Sequence, residues 1–286
     1  MNYTRYRMKV LSAFFAFYFY TVGVFFFNHL LLSQVRPIFF TYNRDLSELL
    51  VIGTGLPKLM MAHPGMFLMA DLLLVILPVF LLLFYIWKGK FSFLLGLSFA
   101  LFLALYLLLL NIFTQAHQEP TLIYFLLSLA FISNRERPFY RVINFCRFYF
   151  LYIFFSAAFW KIARGAVFNP EEMSNILLSQ HADVLASGCS SFSCRTYLYL
   201  IAHPVLSYLL YLAGVLLEAS FAVGFFTRKF DKVLFFIAVL FFALDLWVMR
   251  ISYWPIMVGG MLLLLPSVRK SKRRSRRAST VKLNGI

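Results

Sequence analysis

Lysine rarely stands in a membrane-crossing segment without a polar task, and the stretch RFYFLYIFFSAAFWKIARG, from Arg147 to Gly165, carries Lys161 near its end. An amine partly removed from water is a candidate base, because desolvation disfavours its charged form. Asp71, Asp245, Arg250 and the histidine of AHQEP, His117, fall at a similar level of the chain. Acids, a lysine and a histidine at one level would form a polar pocket able to move protons. The plainer reading is that Lys161 and Arg250 snorkel to lipid headgroups while His117 is a solvated loop residue.

Two further charges stand deep in apolar runs. Counted at about 1.5 Å per helical residue, Glu218 lies roughly 12 Å, and Arg147 roughly 8 Å, inside their segments. Charges at such depth cost several kcal/mol unless paired or functional. An Arg147–Glu218 ion pair is the structural expectation; a proton or substrate role for Glu218 is the alternative. Of the three cysteines, Cys189 and Cys194 sit five residues apart in GCSSFSC and are expected to form a disulfide outside the cytosol. Cys146 lies within an apolar run and reads as inert. The sequence shows no CxxC pair, zinc-ligand spacing, haem motif, phosphate-binding loop or GxSxG, so no metal site is expected.

The elements that must position these residues follow from composition. Of 286 residues, 62% are hydrophobic, 20% aromatic and only 13% charged, and the mean hydropathy is +0.81. That is well beyond the roughly half-apolar balance of a soluble globule. Runs such as LLLVILPVFLLLFYIW are continuously apolar, without the alternation of a barrel strand. The expected fold is therefore all-α, a polytopic transmembrane bundle of about eight spans, because helices satisfy every backbone group in hydrocarbon. The spans are placed at 10–27, 66–87, 91–113, 121–133, 142–162, 205–226, 233–248 and 252–265. The fourth is short for a crossing of about 20 residues, so six or seven spans is the alternative.

Basic residues collect in short cytoplasmic loops. Alternating the eight spans from a cytoplasmic N-terminus places most of the 27 basic side chains inside, including the cluster RKSKRRSRR after the last span. Both termini are thus expected in the cytoplasm. The first apolar segment, too long for a signal-peptide core and lacking a small-residue cleavage site, is expected to remain. Residues 269–286 form a basic tail suited to anionic lipid headgroups rather than to nucleic acid. In the long loop before residue 204, Asn169 reads as a helix N-cap with Pro170 at the first helical position and Glu171 and Glu172 in the first turn. The helix that follows is expected to lie at the membrane interface or to pack on the bundle.

FYFLYIFFSAAFWKIARG resembles the Tyr, small-residue, Lys pattern of the HTTM family, the membrane domain shared with vitamin K-dependent gamma-carboxylase. LLYLAGVLLEASFAVGFFTRKFDKV resembles that family's following helix with its embedded glutamate and basic turn, and AHQEPTLIYFLLSLAFIS is similar to the histidine stretch upstream. The resemblance runs over residues 7–265, so residues 1–268 are identified as an HTTM-like transmembrane domain. It implies that Lys161 matches the lysine acting as base toward reduced vitamin K, and that His117 is the nearest match to a histidine supporting the chemistry. A reduced quinone would be the cofactor. Phe168 and Asn169 stand where the family often has tryptophan, and Asp245 near where it often has histidine. The large extramembrane domain of the carboxylases would have to follow residue 265, where this sequence has its basic tail. The expectation is therefore a quinone- or lipid-linked membrane enzyme rather than a full carboxylase. The competing class is non-enzymatic: a transporter, or an assembly partner of an extracytoplasmic protein bound through the outer loops.

Overall fold

The structure, a computed structural model, describes residues 3–35, 46–114, 122–186, 188, 192–249 and 253–265. His117, Cys189, Arg250 and the basic tail lie outside the described residues, and with them the expectations placed on those positions. The described chain is helical, with no strand among the described residues. It forms two compact units whose division falls inside one long helix, between Cys146 and Arg147.

The first unit holds α1 (Tyr3–Phe27), α2 (Leu46–Gly53), α3 (Leu56–Ala62), α4 (Gly65–Lys88), α5 (Phe93–Phe113), α6 (Leu122–Ser128) and the start of α7 (Glu136–Ala163). The second holds the rest of α7, then α8 (Glu172–Gln180), α9 (Ala182–Ala186), α10 (Phe192–Ala202), α11 (Pro204–Ser220), α12 (Val223–Phe226), α13 (Asp231–Val248) and α14 (Met257–Leu264). Among the described residues, five segments are long and apolar enough to cross a membrane: α1, α4, α5, α7 and residues 204–226. The fourth expected span is a short helix continued by one 3-10 turn, Leu129–Phe131. The seventh is the 18-residue α13, which carries Asp231, Lys232 and Asp245. The eighth has only the eight residues of α14, so the expected count of about eight spans is not confirmed.

An aromatic core holds the first unit. Phe14 stacks on Tyr18 and meets Phe131 edge-on at 4.8 Å, while Tyr18 meets Phe99 at 5.7 Å. Such ring pairs add about 0.5–1.5 kcal/mol each beyond their area. Asn134 ties three segments: its side-chain oxygen accepts from Arg7 at 2.6 Å and from the Phe91 N–H at 2.8 Å, and its amide donates to the Phe91 carbonyl at 2.7 Å. The buried Arg7 guanidinium lies over the Phe91 ring at 4.6 Å and the Tyr85 ring at 5.3 Å. Ring faces here disperse a cation that no carboxylate meets in an ion pair among the described residues.

Gly96 of α5 sits under the turn that ends α6, and a Cβ there would stand 2.7 Å from the Phe131 carbonyl oxygen. Backbone cannot retreat as a side chain can. Gly96→Ala is expected to cost about 1–3 kcal/mol by overpacking, read as a lower thermal midpoint in micelles. Gly23→Ala, with open space around the new methyl, is expected to leave the midpoint unchanged.

Candidate functional site

The second unit brings charge together along α7. On α11 the buried residues are Ser207, Tyr211, Val215 and Glu218, spaced four, four and three, which is one face of a helix. Glu218 therefore shares the stripe that packs inward, beside Ala158, Met173, Leu177 and Leu200. The Lys161 ammonium donates to Glu218 Oε1 at 2.6 Å and lies 5.8 Å from the centre of the Tyr211 ring. Side chains on a helix lean toward its N-terminus, so the lysine stem follows α7 back toward this acid. The lysine side chain is 34% exposed and the glutamate side chain only 4%. Glu218 Oε2 is buried and has no hydrogen-bond partner among the described residues.

Asp245 stands on the neighbouring α13. Its half-buried carboxylate interacts electrostatically with both Lys161 and Glu218, and makes no hydrogen bond to the described residues. The ammonium is paired with Glu218 alone, and Asp245 is not within ion-pair distance of it among the described residues. The arrangement can hold a proton, pass one between lysine and acid, or place a positive charge against an anionic oxygen.

Arg147 pairs elsewhere, which corrects the expected Arg147–Glu218 ion pair. Its Nε donates to Asp231 Oδ2 at 3.0 Å, and one terminal nitrogen donates to Asp231 Oδ1 at 2.5 Å and to the Gly224 carbonyl at 2.8 Å. Both side chains are buried. The reason is level: Asp231 and the Gly224 carbonyl lie against α7 at Arg147, whereas Glu218 meets it at Lys161, 14 residues further along. The close approach is made at Gly224, where a Cβ would meet the Leu151 side chain at 2.6 Å. Asp231 was missed in the sequence because it reads as one acid in the basic turn TRKFDK. Its place in the first turn of α13, where an acid suits the helix dipole, was the available signal.

Asp71 belongs to the first unit and has its own partners. Oδ1 accepts from the Tyr106 hydroxyl at 2.7 Å and the Leu32 N–H at 3.2 Å, and Oδ2 from the Ser33 N–H at 2.9 Å. A buried carboxylate with three donors is a structural anchor for the turn after α1. Cys194 is disulfide-bonded and Cys146 is free and buried.

The helix expected from Asn169 begins two residues later than the sequence suggested. Asn169 Oδ1 accepts from the Glu171 N–H at 3.1 Å, and its amide donates to Glu172 at 3.0 Å, so it shapes the turn before α8 rather than capping it. Met173, Ser174 and Leu177 of α8 are buried, and Ser174 bonds Ser207 of α11 at 3.1 Å. That face packs on the bundle. Beyond it, His181 bonds the Val248 carbonyl at 2.8 Å while stacked on Tyr197 at 3.9 Å, and Tyr197 donates to the Trp247 carbonyl at 3.0 Å. These side chains hold the outgoing end of α13, the helix that carries Asp245.

No family model, no curated protein and no solved structure matches this chain.

Removing one partner of a buried ion pair costs about 3–5 kcal/mol, whereas replacing both by apolar residues is often near neutral. Asp231→Ala is therefore expected to destabilise strongly and Arg147→Leu with Asp231→Leu much less, while Glu218→Gln should leave the Arg147 pair intact. Reaction of the buried Cys146 thiol with a fluorogenic maleimide during heating reads the loss of structure directly.

Proposed function

We propose that this integral membrane protein is a quinone- or lipid-linked membrane enzyme of the HTTM, gamma-carboxylase-like kind, with Lys161 as its base. The observation that carries this reading is the Lys161–Glu218 pair: an ammonium one-third exposed and a buried acid holding it, with one carboxylate oxygen left without a donor. A reduced quinone or lipid-linked substrate enters from the bilayer, where its apolar part is soluble, and presents its hydroxyl to Lys161. Glu218 aims the amine and offsets its charge. Reduced quinone would serve as cofactor, and His117 as a second reactive group beside Lys161.

The same reading has about eight crossings, including the short segments α6, α13 and α14, with both termini in the cytoplasm. The basic residues between 269 and 277 then face the anionic leaflet at about 1 kcal/mol each. The alternative is a non-enzymatic assembly partner that binds an extracytoplasmic protein through its outer loops.

Binding and oxidation of reduced naphthoquinones by the protein in nanodiscs, wild type beside Lys161→Met, tests the reading. Saturable binding and turnover are expected for wild type, with turnover reduced at least 100-fold in the variant, the scale on which a positioned acid–base group contributes. An absence of interaction in both proteins removes the quinol mechanism and leaves the binding-partner role.

A further inference from the structure

An ammonium carries three donors and a carboxylate only acceptors. At Lys161 one donor is used, on Glu218 Oε1 at 2.6 Å, and nothing else among the described residues takes the other two. Glu218 Oε2 is their complement: an acceptor on a side chain only 4% exposed, itself buried and left without a donor. A buried acceptor that folding leaves unpaired keeps its full desolvation cost, which is larger when the group is charged. The same unit avoids that cost at its other pair, where Arg147 takes both carboxylate oxygens of Asp231.

The polar groups near the pair are committed elsewhere. On the inward face of α11, Ser207 donates to the Leu200 carbonyl at 2.7 Å and bonds Ser174 at 3.1 Å, and Tyr208 of the same helix donates to the Val167 carbonyl at 2.6 Å. The centre of the Tyr211 ring lies 5.8 Å from the ammonium and gives the pair an aromatic neighbour. Lys161, one-third exposed, is the member that an incoming group meets first. Oε2 shares its carbon with the oxygen that the ammonium already holds, so free donors and a free acceptor stand side by side.

We propose that the Lys161–Glu218 pair is a recognition site for a neutral hydroxyl group, that of an alcohol or phenol on an apolar frame. The hydroxyl oxygen accepts from Lys161 Nζ, and its hydrogen is donated to Glu218 Oε2. This site rests on the reading of Lys161 and Glu218 as the reactive pair and makes Glu218 a substrate contact as well as the counter-ion of the lysine. The pair is neutral overall, so it offers an anion little attraction, and Oε2 repels one. An ether or a ketone accepts from the ammonium but leaves Oε2 unpaired. A hydroxyl, donor and acceptor on one atom, satisfies both partners. A quinol therefore fits, and its oxidised form, with carbonyls in place of hydroxyls, does not.

Fluorescence titration of the full chain in nanodiscs, corrected for partition into empty nanodiscs, compares three ligands of one frame at neutral pH: 1-naphthol, 1-methoxynaphthalene, which lacks the donor, and 1-naphthoate, an anion. Wild type is expected to bind 1-naphthol saturably and at least about 10-fold more tightly than the ether, the scale of one hydrogen bond to a charged group, and to show no saturable binding of 1-naphthoate. Glu218→Gln leaves Lys161 an unpaired cation, so it is expected to lose most of the preference for naphthol over ether and to gain saturable binding of 1-naphthoate. Equal affinity of wild type for naphthol and ether, naphthoate binding as tight as that of naphthol, or no saturable binding of naphthol overturns the proposal, as does a folded Glu218→Gln protein that keeps the full preference. The wild-type series decides by itself if that variant does not fold. A preference for naphthol in a protein that does not oxidise naphthoquinols keeps the hydroxyl site and discards the quinol reading. Quinol turnover without that preference does the reverse.

Discussion

A charge in an apolar segment must meet an opposite charge or a set of donors, and in the second unit that requirement aligns α7 with the chain from α11 to α13. Arg147 and Lys161 are 14 residues apart on α7, about 21 Å along its axis. Both draw their acids from one 14-residue stretch, Glu218 to Asp231. Two pairs at two levels fix the sliding register of these helices. The packing between them agrees: Phe154 stacks on Phe221 at 4.0 Å and 6°, and Gly224 admits the Leu151 side chain. Buried ion pairs contribute little net stability, so specifying register is the role that best suits the Arg147 pair.

The two pairs are not equivalent. Arg147 is sealed, with both carboxylate oxygens of Asp231 and the Gly224 carbonyl taken up by its guanidinium. Lys161 makes a single hydrogen bond and keeps a third of its side chain exposed. Hydrogen bonds are saturated at the first pair, whereas the second keeps donors on the ammonium and an acceptor on Glu218 unspent.

In the first unit Asp71 and Arg7 are buried without an ion pair among the described residues. Asp71 takes two backbone N–H groups and a tyrosine hydroxyl, and Arg7 takes an amide oxygen and two aromatic faces. Both solutions depend on neutral donors and rings, which no charge count reveals. That is why the sequence offered Asp71 no partner, whereas the fold supplies it with three donors.

By itself the sequence determined that the chain is helical and built from apolar segments long enough to cross a bilayer, because continuous apolar runs leave the backbone no other way to satisfy its polar groups. It also picked out Lys161, Glu218 and Asp245 as costly residues needing an explanation. What it left open was which charge meets which. Helix edges fell six residues earlier at α7 and two later at α8 than expected, and edges do not say which helices are neighbours or at what level they meet. Only the tertiary structure decided that Glu218 goes to Lys161 and Asp231 to Arg147, because pairing depends on helix adjacency and register, set by contacts between residues far apart in the chain.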